Sequence, residues 1–100
     1  MRIIVAARHC EIPDALRQRA RQLLEKVAKV AHRPHRAEVV FDDDHQARVV
    51  ELKMLLPRGQ ILLARAEAED FRSALDKAAE KLRHQAEKDA GRAVRKTTSA

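Results

Sequence analysis

The spacing of the apolar residues changes its period twice along the chain, and this change restricts the possible folds more than any other feature. From 16 to 30 apolar residues recur every three or four positions, which is the period of one buried helix face. From 37 to 67 they alternate with polar residues, as in half-buried strands. From 71 to 82 the helical period returns, and the β-branched run at 2–7 predicts a strand before the first helix. The predicted order is therefore β-α-β-β-β-α.

Turn signals divide the alternating region into three strands. The polar DDDHQ at 42–46 separates the strand AEVVF at 37–41 from a second strand at 47–56. Pro57-Arg58-Gly59 is a strong turn signal, and the alternation of 62–67 after it predicts a strand that pairs back as a hairpin.

Boundary residues place the helix ends. Pro13 suits the first position of a helix, where its missing N–H costs nothing. The residues before Pro34 avoid helical backbone, so the first helix is predicted to end there. Asp70 is a favourable N-cap for the second helix, and Gly91 is predicted to end it. Residues 92–100 are predicted to form a flexible basic tail.

Four strands and two helices, each with one apolar face, predict an α+β two-layer sandwich. Both helices are predicted to pack on one face of the four-stranded sheet, an architecture shared with double-stranded-RNA-binding domains. One hundred residues provide one domain, assigned here to 1–91.

The balance of charges favours an anionic partner. The chain carries 21 Lys and Arg against 15 Asp and Glu, a net charge of +6 with a pI near 10.1. RNA, DNA and lipid headgroups are the first candidates for such a protein.

Cys10 is the single cysteine, which indicates a reducing compartment. The apolar run near the start is too short for a signal peptide or membrane span, so we expect a cytoplasmic protein without a membrane partner.

The second helix separates its charges by sign. At about 100° per residue, five of its basic residues fall in one band, and Asp76, Glu80 and Glu87 fall in another. A face selected for solubility usually mixes the two signs, often in i,i+4 pairs. The alternative, a solvated face, stays open at this point. The predicted RNA-binding band consists of Lys77, Lys81, His84, Lys88 and Arg92.

The first helix has basic flanks on both sides of its apolar face. Arg17 and Arg21 lie on one flank, and if the two helices lie side by side, a basic flank of each is predicted to line the groove between them. Such a groove would follow a phosphate backbone. Both Phe residues belong to the apolar faces, which argues against base stacking and favours structured RNA. The second basic flank of this helix consists of Arg19, Lys26, Lys29 and Arg33.

Catalytic and metal sites are weakly supported. Cys10 and His9 are adjacent on an extended segment and would point to opposite faces, with no third group to orient them. His32 and His35 bracket a proline without a four-ligand zinc pattern. Asp42–Asp44 lacks the calcium-loop spacing, so a solvated turn is favoured. We therefore predict neither an enzyme nor a cofactor, metal or small-molecule substrate.

Two segments resemble a known family, the ribosome hibernation factors also called the sigma-54 modulation family. The resemblance covers about 1–92. At the start, the matching residues are Ile4, Glu11, Ile12, Ala15, Leu16 and Arg17. In the second helix they are Asp70, Phe71, Ala74, Leu75, Asp76, Lys81, Leu82, Gln85 and Lys88.

The resemblance implies a fold of the same β-α-β-β-β-α order and a stress or stationary-phase factor. Such a factor binds the small ribosomal subunit between head and body, contacts 16S rRNA, and covers the sites of mRNA and tRNA. It is expected to inhibit translation reversibly and to be monomeric off the ribosome. The positions that correspond to the family's basic helix residues are Arg17, Lys26, Lys29, Lys81, His84 and Lys88.

The chain departs from the family pattern in several places. His84 replaces a usual Arg. Arg72 replaces a usual Tyr, and Pro13 replaces a usual Ser or Thr. A second dimerising domain and a long acidic tail are both missing, which favours the short form that promotes paired, dormant ribosomes. The alternatives are a general binder of double-stranded or structured RNA and a basic regulator of an acidic protein partner.

Overall fold

The predicted elements form in the predicted order. The computed structural model describes the backbone of residues 1–99 and the side chains of residues 1–91. A short 3-10 turn, Pro57–Gly59, separates the last two strands. The strands and helices are β1 (Arg2–Arg8), α1 (Asp14–Val30), β2 (Arg36–Asp43), β3 (Arg48–Leu55), β4 (Ile61–Ala68) and α2 (Phe71–Ser99).

The four strands form one sheet in the order β1-β2-β3-β4. β1 and β2 are parallel because α1 crosses between them, whereas β2, β3 and β4 are antiparallel and joined by short turns. The register aligns Val5, Val39, Leu52 and Ala64 across the sheet. Since successive residues of a strand point to opposite faces, this row and its neighbours two residues away form one apolar face.

Both helices cover that apolar face, as predicted. Leu24 of α1 and Leu75 and Leu82 of α2 are fully buried, in one core cluster with Leu52 and Phe41 of the sheet. The rings of Phe41 and Phe71 meet edge to face with centroids 5.6 Å apart. The architecture is the predicted α+β two-layer sandwich with two helices on one side of a four-stranded sheet.

The buried face of α1 differs from the prediction at two positions. The predicted face consisted of Leu16, Ala20, Leu23, Val27 and Val30. Leu24, which is not in that set, is fully buried, and Val30 is 37% exposed. Val30 is the last residue of the helix, beyond the part that the sheet covers. Pro13 is the N-cap residue rather than the first helical residue, with φ −60° and ψ 150°. Its carbonyl accepts the N–H of Arg17 at 3.1 Å.

The start of α2 follows the prediction, and its end does not. Asp70 Oδ1 accepts the backbone N–H of Ser73 at 2.7 Å, and this hydrogen bond lowers the pKa of the Asp70 carboxyl. α2 continues through Gly91 to Ser99. A glycine that ends a helix usually adopts positive φ, which Gly91 does not. Ala100 lies outside the described residues, and the mobility of 92–100 stays a prediction.

Polar side chains of α2 cover the open edge of β4. The Gln85 amide donates to the carbonyl of Leu63 at 2.7 Å and accepts the Leu63 N–H at 3.2 Å. One turn earlier, Lys81 Nζ donates to the carbonyl of Arg65 at 3.0 Å, and one turn later Asp89 accepts from Gln60. These contacts occupy edge groups that would otherwise attract another strand, and they fix how α2 is rotated about its own axis.

Candidate nucleic-acid interface

The basic band of α2 lies on the flank beside β4. Lys81 is anchored there by its hydrogen bond to Arg65, and Lys77 and Lys88 lie within about 40° of Lys81 around the helix at about 100° per residue. His84 lies about 60° from Lys81 around the helix. Its Nε2 is 3.8 Å from Oε1 of Glu80. All four side chains are exposed. We call Lys77, Lys81, His84 and Lys88 the α2 stripe; the side chain of Arg92 lies outside the described residues.

The prediction that basic flanks of both helices line one groove is wrong. A groove of about 360 Å³ does lie between the helices, and α1 contributes Arg19 and Lys26 to it. From α2, however, the groove receives Asp76, Glu80 and Arg83 rather than the α2 stripe. The contact of Gln85 with β4 turns the stripe outward, so the acidic sector of α2 faces α1.

Arg19 and Asp76 join the two helices across this groove. Arg19 Nε donates to Asp76 Oδ1 at 2.9 Å, and its Nη2 donates to Oδ2 at 3.0 Å. The hydrogen bonds to Asp76 raise the pKa of Arg19, so the guanidinium is charged at every relevant pH. In this geometry Arg19 ties the helices together, and a phosphate would have to compete with Asp76 for it.

The remaining α1 candidates occupy four different environments. Lys26 lines the groove, and Lys29 is exposed in the last turn of α1. Arg17 is half-buried, with its Nε donating to the carbonyl of Ile12 at 3.3 Å. Arg33 is not on a helix flank, because α1 ends at Val30; it lies in the following loop with φ 51°.

Sequence reasoning missed Arg83 as a groove residue. Arg83 lines the groove beside Glu80, and its Nε is 3.7 Å from Glu87. Its helical angle is close to that of Asp76, so the same angular projection would have placed it among the acidic residues of α2.

The nucleophile considered at Cys10 lacks the necessary geometry. Cys10 Sγ is 3.6 Å from the carbonyl of Phe41, and burial raises the pKa of its thiol, which disfavours the reactive thiolate. His9 instead contacts Asp42, with 3.2 Å between Nδ1 and Oδ1. Among the described side chains, no three His, Cys, Asp or Glu groups are arranged to hold a metal ion. Neither α1 nor the described length of α2 is long and apolar enough to cross a membrane.

Comparisons with known proteins agree with this architecture. The family model described as sigma 54 modulation protein / S30EA ribosomal protein matches residues 3–94. A search of curated proteins finds no match.

Two solved structures are similar over most of the chain. The N-terminal domain of Protein Y from Thermus thermophilus is 26% identical with a TM-score of 0.77, covering 88% of this chain and 98% of that one. A ribosomal subunit interface protein from Coxiella burnetii is 25% identical with a TM-score of 0.71, covering 88% of this chain and 96% of that one. Since the family model spans nearly the whole chain, the protein belongs to the sigma 54 modulation protein / S30EA ribosomal protein family.

Proposed function

We propose that this protein is a ribosome hibernation factor that binds 16S rRNA in the decoding channel of the small subunit. There it blocks the sites of mRNA and tRNA and reversibly inhibits translation. The observation that carries the proposal is the α2 stripe, an exposed band of one sign in a chain of a ribosomal protein family. The similar structure from Coxiella burnetii is itself described as a ribosomal subunit interface protein.

The α2 stripe is suited to contact a phosphate backbone. Lys77, Lys81 and Lys88 carry ammonium groups on one exposed flank. Of the acidic residues of α2, Asp76 and Glu80 line the groove toward α1, and Glu80 also lies 3.8 Å from His84 at the border of the stripe. Ammonium groups that neutralise phosphates release bound counterions, which makes the affinity strongly dependent on salt. Such contacts position a protein on RNA without reading its sequence, as expected for a factor that recognises one shape.

The orientation of the helices supports two separate lines of RNA contact rather than one groove. Lys26 and Lys29 of α1 lie on one side of the acidic residues Asp76 and Glu80, and the α2 stripe lies on the other. RNA backbone laid along the groove would meet these carboxylates. We therefore propose that two different rRNA segments contact the protein, one along α1 and one along the α2 stripe beside β4.

Inhibition then follows from exclusion. A folded domain that occupies the channel prevents mRNA and tRNA from binding, and its release restores translation without covalent chemistry. We propose that residues 1–91 form the ribosome-binding domain, that the protein is monomeric off the ribosome, and that 92–100 add positive charge.

Sedimentation with purified subunits tests the partner directly. We expect the protein to co-sediment with small but not large subunits, and to dissociate steeply as salt is raised from about 50 to 200 mM. Equal binding to both subunits and to unrelated duplex RNA would instead indicate a general structured-RNA binder. Binding to a cell extract that persists after RNase treatment would indicate a protein partner and contradict the proposal.

A further inference from the structure

Four arginines belong to the segments at the end of the sheet where β1 and β2 begin and β3 ends. Backbone hydrogen bonds hold the loop before β2 at this end of the sheet. The backbone N–H of His35 donates to the carbonyl of Leu55 at 2.9 Å, and the carbonyl of His35 accepts the backbone N–H of Arg2 at 3.2 Å. The segments that build this end, 1–7, 29–37 and 52–60, contain no Asp or Glu. We use the name arginine end for the surface at this end of the sheet that carries Arg2, Arg33, Arg36 and Arg58.

Two of these arginines occupy backbone that favours other residues. Arg33 has φ 51°, and Arg58 has φ 66° and ψ 26°, both in the left-handed region. Arg58 and Gly59, with φ 74°, are the central pair of the tight β3–β4 turn, closed by the Gln60 N–H on the carbonyl of Pro57. Asn-Gly is the preferred pair for two positive φ values. Local backbone preference therefore does not account for an arginine at 58.

The other two arginines lack adequate acceptors. Arg2 and Arg36 are direct neighbours in the parallel register, where strands lie about 4.8 Å apart. Like charges at that spacing repel. Arg36 Nε is buried with no hydrogen-bond partner, and its Nη2 reaches Glu38 only at 3.4 Å. A buried N–H without an acceptor is unfavourable. The Arg36 side chain as a whole is 43% exposed, so an anion oxygen can reach its outer N–H groups and offset the repulsion from Arg2.

Charges at the opposite end of the sheet are arranged differently. There Arg48 lies 3.8 Å from Asp43, and His9 lies 3.2 Å from Asp42. In the described part of the chain, no ion pair engages Arg2, Arg33 or Arg58. The carboxylates in contact with this end are Glu38, beside Arg36, and Asp89, which accepts from Gln60. The other charges of the arginine end are positive, and Lys29 lies in the last turn of α1, four residues before Arg33.

We propose that the arginine end is a further phosphate-binding surface, which grips the RNA backbone with guanidinium groups from the strands and loops. This inference rests on the proposed function for the identity of the RNA. Guanidinium groups present several N–H donors in a plane and match the oxygens of a phosphodiester. The α1 line of contact, Lys26 and Lys29, would then continue past the helix end onto the sheet rather than stop at Val30.

The double variant Arg36→Gln/Arg58→Asn separates binding from folding. An asparagine before Gly59 would complete the preferred turn pair, so the midpoint of thermal unfolding should be unchanged or higher. The slope of log affinity against log salt for small subunits should fall by about two, one for each lost phosphate contact. The charge-matched control is Arg8→Gln/Arg72→Gln at the other end of the molecule, which should leave that slope unchanged.

Each outcome has a distinct meaning. If the wild type fails to bind small subunits at all, the proposed function is wrong. If the wild type binds and the double variant keeps its salt slope, the arginine end is not an RNA contact. If Arg36→Gln impairs folding, the single variant Arg58→Asn tests the proposal alone. Its slope of log affinity against log salt is expected to fall by about one. Saturable binding of inorganic phosphate, tested against chloride at equal ionic strength, would indicate a small-anion site and overturn the RNA assignment.

Discussion

Reversing the charges at Lys77 and Lys88 is expected to weaken binding to small ribosomal subunits by about a hundredfold. In the proposed complex, each substitution would remove one phosphate contact and place a carboxylate against the RNA backbone. A loss of about tenfold per position corresponds to about 1.4 kcal/mol each. Both side chains are exposed, and neither has an ion pair among the described residues, so the fold should tolerate Lys77→Glu/Lys88→Glu. The measurement is the dissociation constant for small subunits at constant salt.

The choice of positions follows from the contacts of α2. Lys81 is avoided because its ammonium donates to the carbonyl of Arg65, so its reversal would also disturb the cover of the β4 edge. The control Arg8→Glu/Arg72→Glu changes the net charge by the same amount at exposed sites outside the α2 stripe. If the control weakens binding as much as Lys77→Glu/Lys88→Glu, overall charge rather than the stripe determines affinity.

Truncation of Leu52 is expected to cost about 2–5 kcal/mol of unfolding free energy. Leu52 is fully buried at the centre of the sheet, aligned with Val39 and Ala64 beneath the helices. A domain of this size is typically stable by only about 5–15 kcal/mol, so Leu52→Ala should remove a large share of its stability. Urea denaturation, monitored by circular dichroism, measures this loss as a lower midpoint.

A leucine on the opposite face of the sheet provides the matched control. Leu63 of β4 is 48% exposed, and it meets Gln85 through its backbone rather than its side chain. Leu63→Ala should therefore change stability by no more than about 0.5 kcal/mol. Equal losses for Leu52→Ala and Leu63→Ala would mean that the face away from the helices is also part of a core.

The sequence was sufficient to predict the fold because each element carries a periodic apolar pattern. The alternation of Val50, Leu52 and Met54 predicted one buried face of β3, and all three side chains are fully buried. The turn at 57–59 and the cap at Asp70 also form where their residue types predicted. Gly91 misled because a glycine is compatible with a helix interior as well as a helix end, and only its φ distinguishes the two.

The arrangement of the two helices could not be predicted in the same way. Helical projection grouped the residues of the α2 stripe, but it gave no rotation of α2 relative to α1. That rotation depends on contacts between distant segments, namely Gln85 with Leu63 and Arg19 with Asp76. The arginine end was missed for a related reason, since Arg2, Arg36 and Arg58 are far apart in the chain and come together only through strand pairing.

Competition on the small subunit tests the central claim most directly. Small subunits carrying labelled mRNA and tRNA are mixed with increasing amounts of the protein, and the label retained on the subunits is measured. Occupation of the decoding channel predicts that both labels are displaced as the protein saturates the subunit, while Lys77→Glu/Lys88→Glu displaces neither at the same concentrations. Saturation of the subunit with both labels still bound would place the protein elsewhere and contradict the proposed mechanism.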